Sequence, residues 1–400
     1  MERRARTKDS PWSFMSFRTI GVLSLALIFG DAVSAAGIDE WFLRESGTTN
    51  DLFGIAFASN TFVAVGSAGY VARSADAVSW VNAPTDVGNV FYSVTHGSGL
   101  YVAVGQGMVI TSSNAANWNL IPRPNLVLRG VTYGSGRFVA AGYMPTASNT
   151  VAVALTSTDG ANWDLHEMGV FNEVIGITFG NGLFVAVSGF NKDLLVSTNG
   201  ADWIRTETPC YNPRYAVAFG NDRFVAVGAE PYCPSFSISS SFDGVHWTDR
   251  QSGTDGLFFG VGFGSGTFVA VGGLFDAVFP DSRITTSRDG ATWTPQDSPA
   301  LRDLQAVAFG RETFVAVGKR GTIVQSGNTG DVSLSIARQT TGVVITVTGQ
   351  PNWTYRLQAS ADLLGIWQNI AVVTNAQNGF VLTNAFDSPT GQRYYRVIAP

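Results

Sequence analysis

The stretch STDGANW at Ser157–Trp163 decides the fold, because the chain keeps rewriting it. Close relatives are STNGADW from Ser197, SFDGVHW from Ser241 and SRDGATW from Ser287, with weaker ones in SADAVSW from Ser74 and SSNAANW from Ser112. A further copy, SGNTG from Ser326, stops before its tryptophan. Each opens on serine and carries Asp or Asn two residues later, side chains that hydrogen-bond backbone N–H groups inside a turn. Gly160, Gly200, Gly244 and Gly290 supply a residue free to take positive φ. The tryptophan six residues after the serine then packs back onto a sheet. The box reads as a turn staple, in preference to a series of acidic calcium or catalytic sites. Ala77 and Ala115 replace the glycine in two copies, which predicts strained or altered turns there.

A second motif runs in step with the first. FVAVG stands at Phe62, Phe224, Phe268 and Phe314, with YVAVG at Tyr101, FVAAG at Phe138 and FVAVS at Phe184. The separations are 39, 37, 46, 40, 44 and 46 residues. Periods of this size mark a repeat architecture in which each unit needs its neighbours to bury its faces. One unit reads as VIGITF (from Val174), LFVAVS (from Leu183), DLLVS (from Asp193), the box, and WIRTE (from Trp203). Four short antiparallel strands per repeat are the blades of a β-propeller. From each box tryptophan to the next repeat aromatic is 21 residues, except for 20 between Trp118 and Phe138.

Trp41 stands 21 residues before Phe62, although no blade precedes it. The last repeat lacks its outermost strand. The expected architecture is therefore all-β: a seven-bladed propeller over 37–330, closed by an N-terminal strand at Trp41 that pairs beside GTIVQS (from Gly321). Such closure removes an open edge between first and last blade.

Ser-x-Asp-x-x-x-Trp on propeller hairpins resembles the Asp-box, or BNR, repeat of sialidases, some other glycoside hydrolases, sortilin-type receptors and photosystem assembly factors. The resemblance covers Ile38 to about Gly330 and implies the propeller scaffold; the families it joins do different things. A sialidase resemblance would imply an arginine triad, a Tyr–Glu nucleophile pair, an Asp acid and an early Phe/Tyr-Arg-Ile-Pro element. GIDEWFLRESG from Gly37 is followed by no such element, and no catalytic role is carried over.

The first 36 residues read as a signal peptide: basic residues as far as Arg18, an apolar run from Thr19 to Gly30, and small residues offering cleavage after Ala35 or Ala36. Met15 is an alternative start. The apolar run is too short for a permanent span, so the mature chain is expected to be exported, in the periplasm, at the cell surface or secreted. The formal charge of −5 argues against nucleic acid or anionic membrane as a bulk partner. From Asp331 to Pro400 the boxes cease and six strand-like stretches follow. This segment resembles the small immunoglobulin- or fibronectin-like β-sandwich appended to many exported bacterial proteins, with YRLQASADLLGIW (from Tyr355) and RYYRV (from Arg393) as the resembling stretches.

Long, diverse loops follow the second strand at Gly142, Gly228 and Gly272, on the rim opposite the boxes, and such loops are where binding sites gather. Candidate ligand-binding residues are Tyr143, Tyr211, Tyr232, Phe275, Phe279, Arg129 and Arg214. Cys210 and Cys233, the only cysteines, fall in two loops of one blade and are expected to form a disulfide. No catalytic, metal or cofactor motif stands out, and His96, His166 and His246 read as structural or exposed. The leading expectation is a non-enzymatic exported binding or scaffold protein for glycan or extracellular protein. The alternative is a glycoside hydrolase or polysaccharide lyase using carboxylates of the same rim, among Glu173, Glu207, Glu230, Asp276, Asp281 and Asp303; an envelope-assembly role is the third.

Overall fold

A computed structural model describes residues 22–25, 33–34, 40–170, 172–189, 192–229, 237–274, 281–327, 333–339, 342–348, 354–360, 367–374, 379–385 and 394–398. Among them the elements are β-strands, apart from one 3-10 turn at Lys319–Gly321. The propeller strands are rich in valine and phenylalanine, which favour pleated, half-buried backbone. The second strand of each repeat is the core: Phe62, Val63, Ala64 and Val65 have no exposed surface, and their counterparts around the ring are buried.

The ring is a β-propeller of six blades, which corrects the expected seven. Five sheets have four strands, and one has six, ordered Phe91–Gly97, Leu100–Ser112, Asn119–Gly134, Arg137–Pro145, Thr150–Ser157 and Asp164–Glu167 from one edge to the other. Two sequence repeats have merged in that sheet. Asn119–Pro122 pairs with Met108–Thr111 as an outer strand, and the same strand then runs on to pair Val127–Gly134 with Arg137–Tyr143 as an inner one. Val127 opposite Gln106 bridges the two halves. This connection is the one a residue shorter than the rest, and it stays extended instead of looping clear.

Ring closure is seen in the register. Trp41–Arg44 pairs antiparallel with Ile323–Ser326, Ser326 facing Trp41 and Ile323 facing Arg44. The Gly327 N–H donates to the Glu40 carbonyl at 2.8 Å, and Arg44 Nε donates to Gln325 Oε1 at 2.7 Å.

Neighbouring repeats interlock through an aromatic ring and an absent Cβ. A Cβ on Gly97, Gly134, Gly180, Gly220, Gly264 or Gly310 would lie 2.0–2.1 Å from the ring of Tyr133, Phe179, Phe219, Phe263, Phe309 or Phe57 respectively. Each of those rings also leans on the repeat aromatic of its own second strand, as Phe219 does on Phe224 with centroids 4.7 Å apart. The pair Gly310 and Phe57 joins the last repeat to the first. At the remaining joint Ala58 replaces the glycine. The aromatic position of the next repeat is His96, and the Tyr101 hydroxyl donates to the Ala58 carbonyl.

The boxes are turn staples in the structure. At Ser157–Trp163, Asp159 Oδ1 accepts the N–H groups of Ala161 and Asn162, both at 2.8 Å. Ser157 Oγ accepts from the Gly160 N–H at 2.9 Å, and Trp163 Nε1 donates to the Gly160 carbonyl at 2.9 Å. Ala77 and Ala115 take φ of 62° and 56°, the left-handed region of the box glycines, and so carry the strain the sequence predicts.

Past the ring, Ser333–Gln339, Gly342–Thr348 and Gly379–Ala385 form one sheet, and Thr354–Ser360, Gln368–Thr374 and Tyr394–Ile398 another. Val343, Ile345, Val347, Tyr355, Leu357, Tyr395 and Val397 make their common core. Two N-terminal segments lie at the sheet edges, Val22–Leu25 against Tyr395–Ile398 and Val33–Ser34 against Ser333–Leu334.

Gly220→Ala should lower stability by about 1–3 kcal/mol, because the new methyl must displace the Phe263 ring. Gly88→Ala, where a Cβ meets nothing within 4 Å, should stay within about 0.5 kcal/mol of the parent in the same denaturant titration.

Burial works to raise the Asp289 carboxyl, but hydrogen bonds from the Thr292 and Ala291 N–H groups and Ser287 hold it down at about 2. A carboxylate depressed in the folded state stabilises fully above its unfolded value, about 3.9, and loses that contribution as pH falls through its folded value. The melting temperature should therefore decline between about pH 4 and pH 2. Asp289→Asn keeps the acceptor, as Asn114 and Asn199 do in their boxes, and should shallow that decline in melts at pH 7 and pH 3.

Candidate functional site

Every inner strand of the ring carries a β-bulge near its start. Register slips between Leu52 and Gly54, Phe91 and Ser93, Leu128 and Gly130, Val174 and Gly176, Arg214 and Ala216, Phe258 and Gly260, and Leu304 and Ala306. In each, one residue is left without a partner, and a bulge re-aims the side chain it carries. The bulged residues are Phe53, Tyr92, Arg129, Ile175, Tyr215, Phe259 and Gln305, all half-buried. All seven line one central cavity of about 520 Å³.

The residue after each bulge is small. Gly54, Gly176 and Gly260 let neighbouring inner strands touch backbone to backbone, since a Cβ on Gly260 would lie 2.7 Å from the Gln305 carbonyl oxygen. Below them Ile55, Val94, Ile177, Val217, Val261 and Val307 also line the cavity. The site is therefore a cavity with aromatic and polar groups in one layer and apolar branched side chains two residues deeper.

Around the mouth the aromatic residues form two pairs. Phe53 and Tyr92 have centroids 5.6 Å apart at 51°, and Tyr215 and Phe259 stack at 5.7 Å and 20°. Arg129 and Ile175 separate the pairs on one side, Gln305 on the other. The Arg129 guanidinium lies over the Tyr92 ring, 4.2 Å from its centroid, and its buried Nε has no hydrogen-bond partner. Burial raises the Tyr215 hydroxyl above the ordinary tyrosine value, which keeps it a neutral donor. Burial raises Tyr143 as well, with Glu173 adding to the shift and Arg129 opposing it.

Of the residues the sequence singled out, the structure brings Arg129 and Tyr143 together beside Tyr92. Arg214 goes elsewhere: it has no exposed surface and pairs with Asp249 at 3.2 Å, while Nη2 donates to Ser239 Oγ at 2.6 Å. Burial lowers it to about 10, and Asp249 opposes the shift. Asp249 also accepts the Cys210 N–H at 2.9 Å, so this group ties a rim loop to an outer strand. Tyr211 is exposed on that loop. Tyr232, Phe275 and Phe279 lie outside the described residues, as does Cys233, on which the expected bridge to Cys210 rests.

Phe53, Tyr92, Ile175, Tyr215, Phe259 and Gln305 escaped the sequence reading, yet a signal for them exists. Each mouth residue stands nine positions before the aromatic of its FVAVG motif. Arg129 occupies that position; Arg214 is one residue earlier, where the other repeats place Leu, Phe or Val. A one-residue shift moves a strand side chain to the other face.

Among the carboxylates proposed for hydrolysis, Glu207 pairs with Lys192 and Arg205, Asp281 with Arg283 and Asp303 with Lys319. Glu230 and Asp276 lie outside the described residues. No group of three or more His, Cys, Asp or Glu among the described residues is placed to hold a metal ion.

No family model matches the chain, and no curated protein matches it significantly. Solved structures do. Virginiamycin B lyase from Staphylococcus aureus superposes with a TM-score of 0.60 at 13% identity, over 72% of this chain and 99% of that one. The WD40 propeller of Doa1 gives 0.55 at 12% identity, over 74% and 97%. The Neurospora crassa Pan2 WD40 domain gives 0.53 at 9%, over 71% and 89%. At these identities the likeness establishes the β-propeller fold alone.

Thiol titration of the unfolded chain should find no reactive cysteine before reduction and two after it, if Cys210 and Cys233 are joined as their sequence positions predict.

Proposed function

We propose that this protein is an exported binding protein whose propeller mouth receives a small ligand, a sugar unit of a glycan, between its two aromatic pairs. β-Propellers commonly mediate binding, and a concave, largely apolar pocket with a few convergent polar groups is the usual form of a ligand site. The single observation that carries the reading is the ring of bulges. Seven separate backbone irregularities deliver seven side chains to one layer, and four of those side chains are aromatic. Aromatic faces are apolar and carry the negative side of the ring quadrupole, suited to the C–H faces of sugar rings, while Gln305 and the Tyr92 and Tyr215 hydroxyls meet hydroxyl groups. Export is proposed from the leader, with its apolar run at Thr19–Gly30 and small residues at Ala35 and Ala36.

Binding is favoured over hydrolysis by the chemistry of the cavity wall, which carries no carboxylate or histidine among the described residues. A glycosidase of the ordinary kind needs two carboxyl groups about 5–10 Å apart across the scissile bond. Three of the rim carboxylates are instead held in ion pairs.

Replacing both Tyr215 and Phe259 with alanine should weaken binding to a responsive glycan on an array by about tenfold or more, equivalent to about 1.4 kcal/mol. The melting temperature should change little, since both side chains already face solvent in part. Release of sugar from a polysaccharide, abolished by Glu173→Gln, would replace this reading with the hydrolase.

A further inference from the structure

We infer that the ligand of this mouth is anionic, a six-membered ring bearing a carboxylate, with Arg129 as the residue that receives the carboxylate. The inference rests on the binding reading above and specifies the chemistry of the same site.

Among the described residues lining the cavity, Arg129 is the one formally charged side chain. A buried or half-buried arginine is ordinarily held by a carboxylate or by carbonyl oxygens, because its five N–H groups are costly to leave unmet. The other buried arginine of this rim, Arg214, obeys that rule through Asp249 and Ser239. Arg129 does not: among the described residues it makes no ion pair and no hydrogen bond, and its Nε is buried without a partner. Glu173 is near enough to act electrostatically on the same tyrosine, Tyr143, yet no ion pair joins the two.

The Arg129 guanidinium carbon lies over the Tyr92 ring, 4.2 Å from the centroid. Nε is buried, so the terminal nitrogens are what remains for an acceptor, and two parallel N–H···O bonds from them match a carboxylate. The aromatic pairs set the rest of the ligand: Tyr215 and Phe259 stack at 20° to each other across the mouth from Arg129, and a rigid ring can pack against this pair while its carboxylate meets Arg129. Gln305, neutral and on the far side of the aromatic pairs, completes the polarity: one cationic pole and one amide.

The chemistry has two sources, an acidic sugar or an aromatic acid, and calorimetry with four small probes separates them. Methyl β-glucuronide is compared with methyl β-glucoside, and benzoate with benzyl alcohol, using the full chain. The glucuronide should bind about tenfold or more tightly than the glucoside, an advantage that shrinks as salt rises. A like preference for benzoate, with weak binding of both sugars, would assign the aromatic acid. In Arg129→Gln, whose melting curve checks folding, the acid-to-neutral ratio should fall to about twofold or less, and Arg129→Lys should recover only part of it, because lysine lacks the bidentate edge. Equal binding of acid and neutral members by the native protein would overturn the inference and leave the binding reading standing. Failure of all four probes to bind would overturn both.

Discussion

The aromatic ring of one repeat occupies the space where the preceding repeat's glycine lacks a Cβ, and the rest of the molecule is organised by that contact. It recurs at six joints, from Gly97 with Tyr133 round to Gly310 with Phe57. Each ring is simultaneously packed on the repeat aromatic of its own second strand, so a single side chain couples the interior of one repeat to the edge of the one before. A repeat without its neighbours would leave that ring in water and its core strand half covered, which is why the units are stable only as a closed set. The joint between the first two repeats shows the same logic with other atoms: alanine replaces glycine, His96 replaces the ring, and the Tyr101 hydroxyl supplies a hydrogen bond across the gap.

Holding the inner strands this close creates the site. Small residues after each bulge bring neighbouring backbones into contact, and the bulge just ahead turns one side chain per inner strand inward. The position serves no core and no box, so the repeats are free to differ there. Phenylalanine, tyrosine, arginine, isoleucine and glutamine all occur. A scaffold that is nearly uniform elsewhere thus carries its chemical diversity in one layer of the mouth, with Arg129 as its single charge.

Two arginines show how much of the site the sequence carried. Arg129 and Arg214 both open inner strands, and both looked like rim groups. They differ by one step in distance from the repeat aromatic, and that step separates a side chain at a bulge from one paired in the ladder. Arg214 therefore lies in the core with Asp249, and Arg129 faces the cavity over Tyr92. The long loops at Gly142, Gly228 and Gly272 drew attention for their length and aromatic content, but the mouth is built from strand residues only nine positions ahead of a plain motif. Length variation is visible in one chain; a bulge is a property of pairing between two strands and has no residue type of its own.

Local repetition was enough to settle the all-β class, the box turns and the strand content of each repeat, because hydrogen-bonded turns and strand periodicity depend on residues close together in the chain. The long-range pairing of Trp41 beside Ser326 followed from repeat bookkeeping, since Trp41 supplies the outer strand that the last repeat lacks. The number of blades was decided by tertiary structure. Two repeats joined by a connection one residue short keep their backbones paired through Val127 and Gln106, and seven repeats become six sheets. The binding layer was decided there too. Which side chains meet at the centre depends on strands tens of residues apart arriving at one radius and one height, a relation that arises only when the ring has closed.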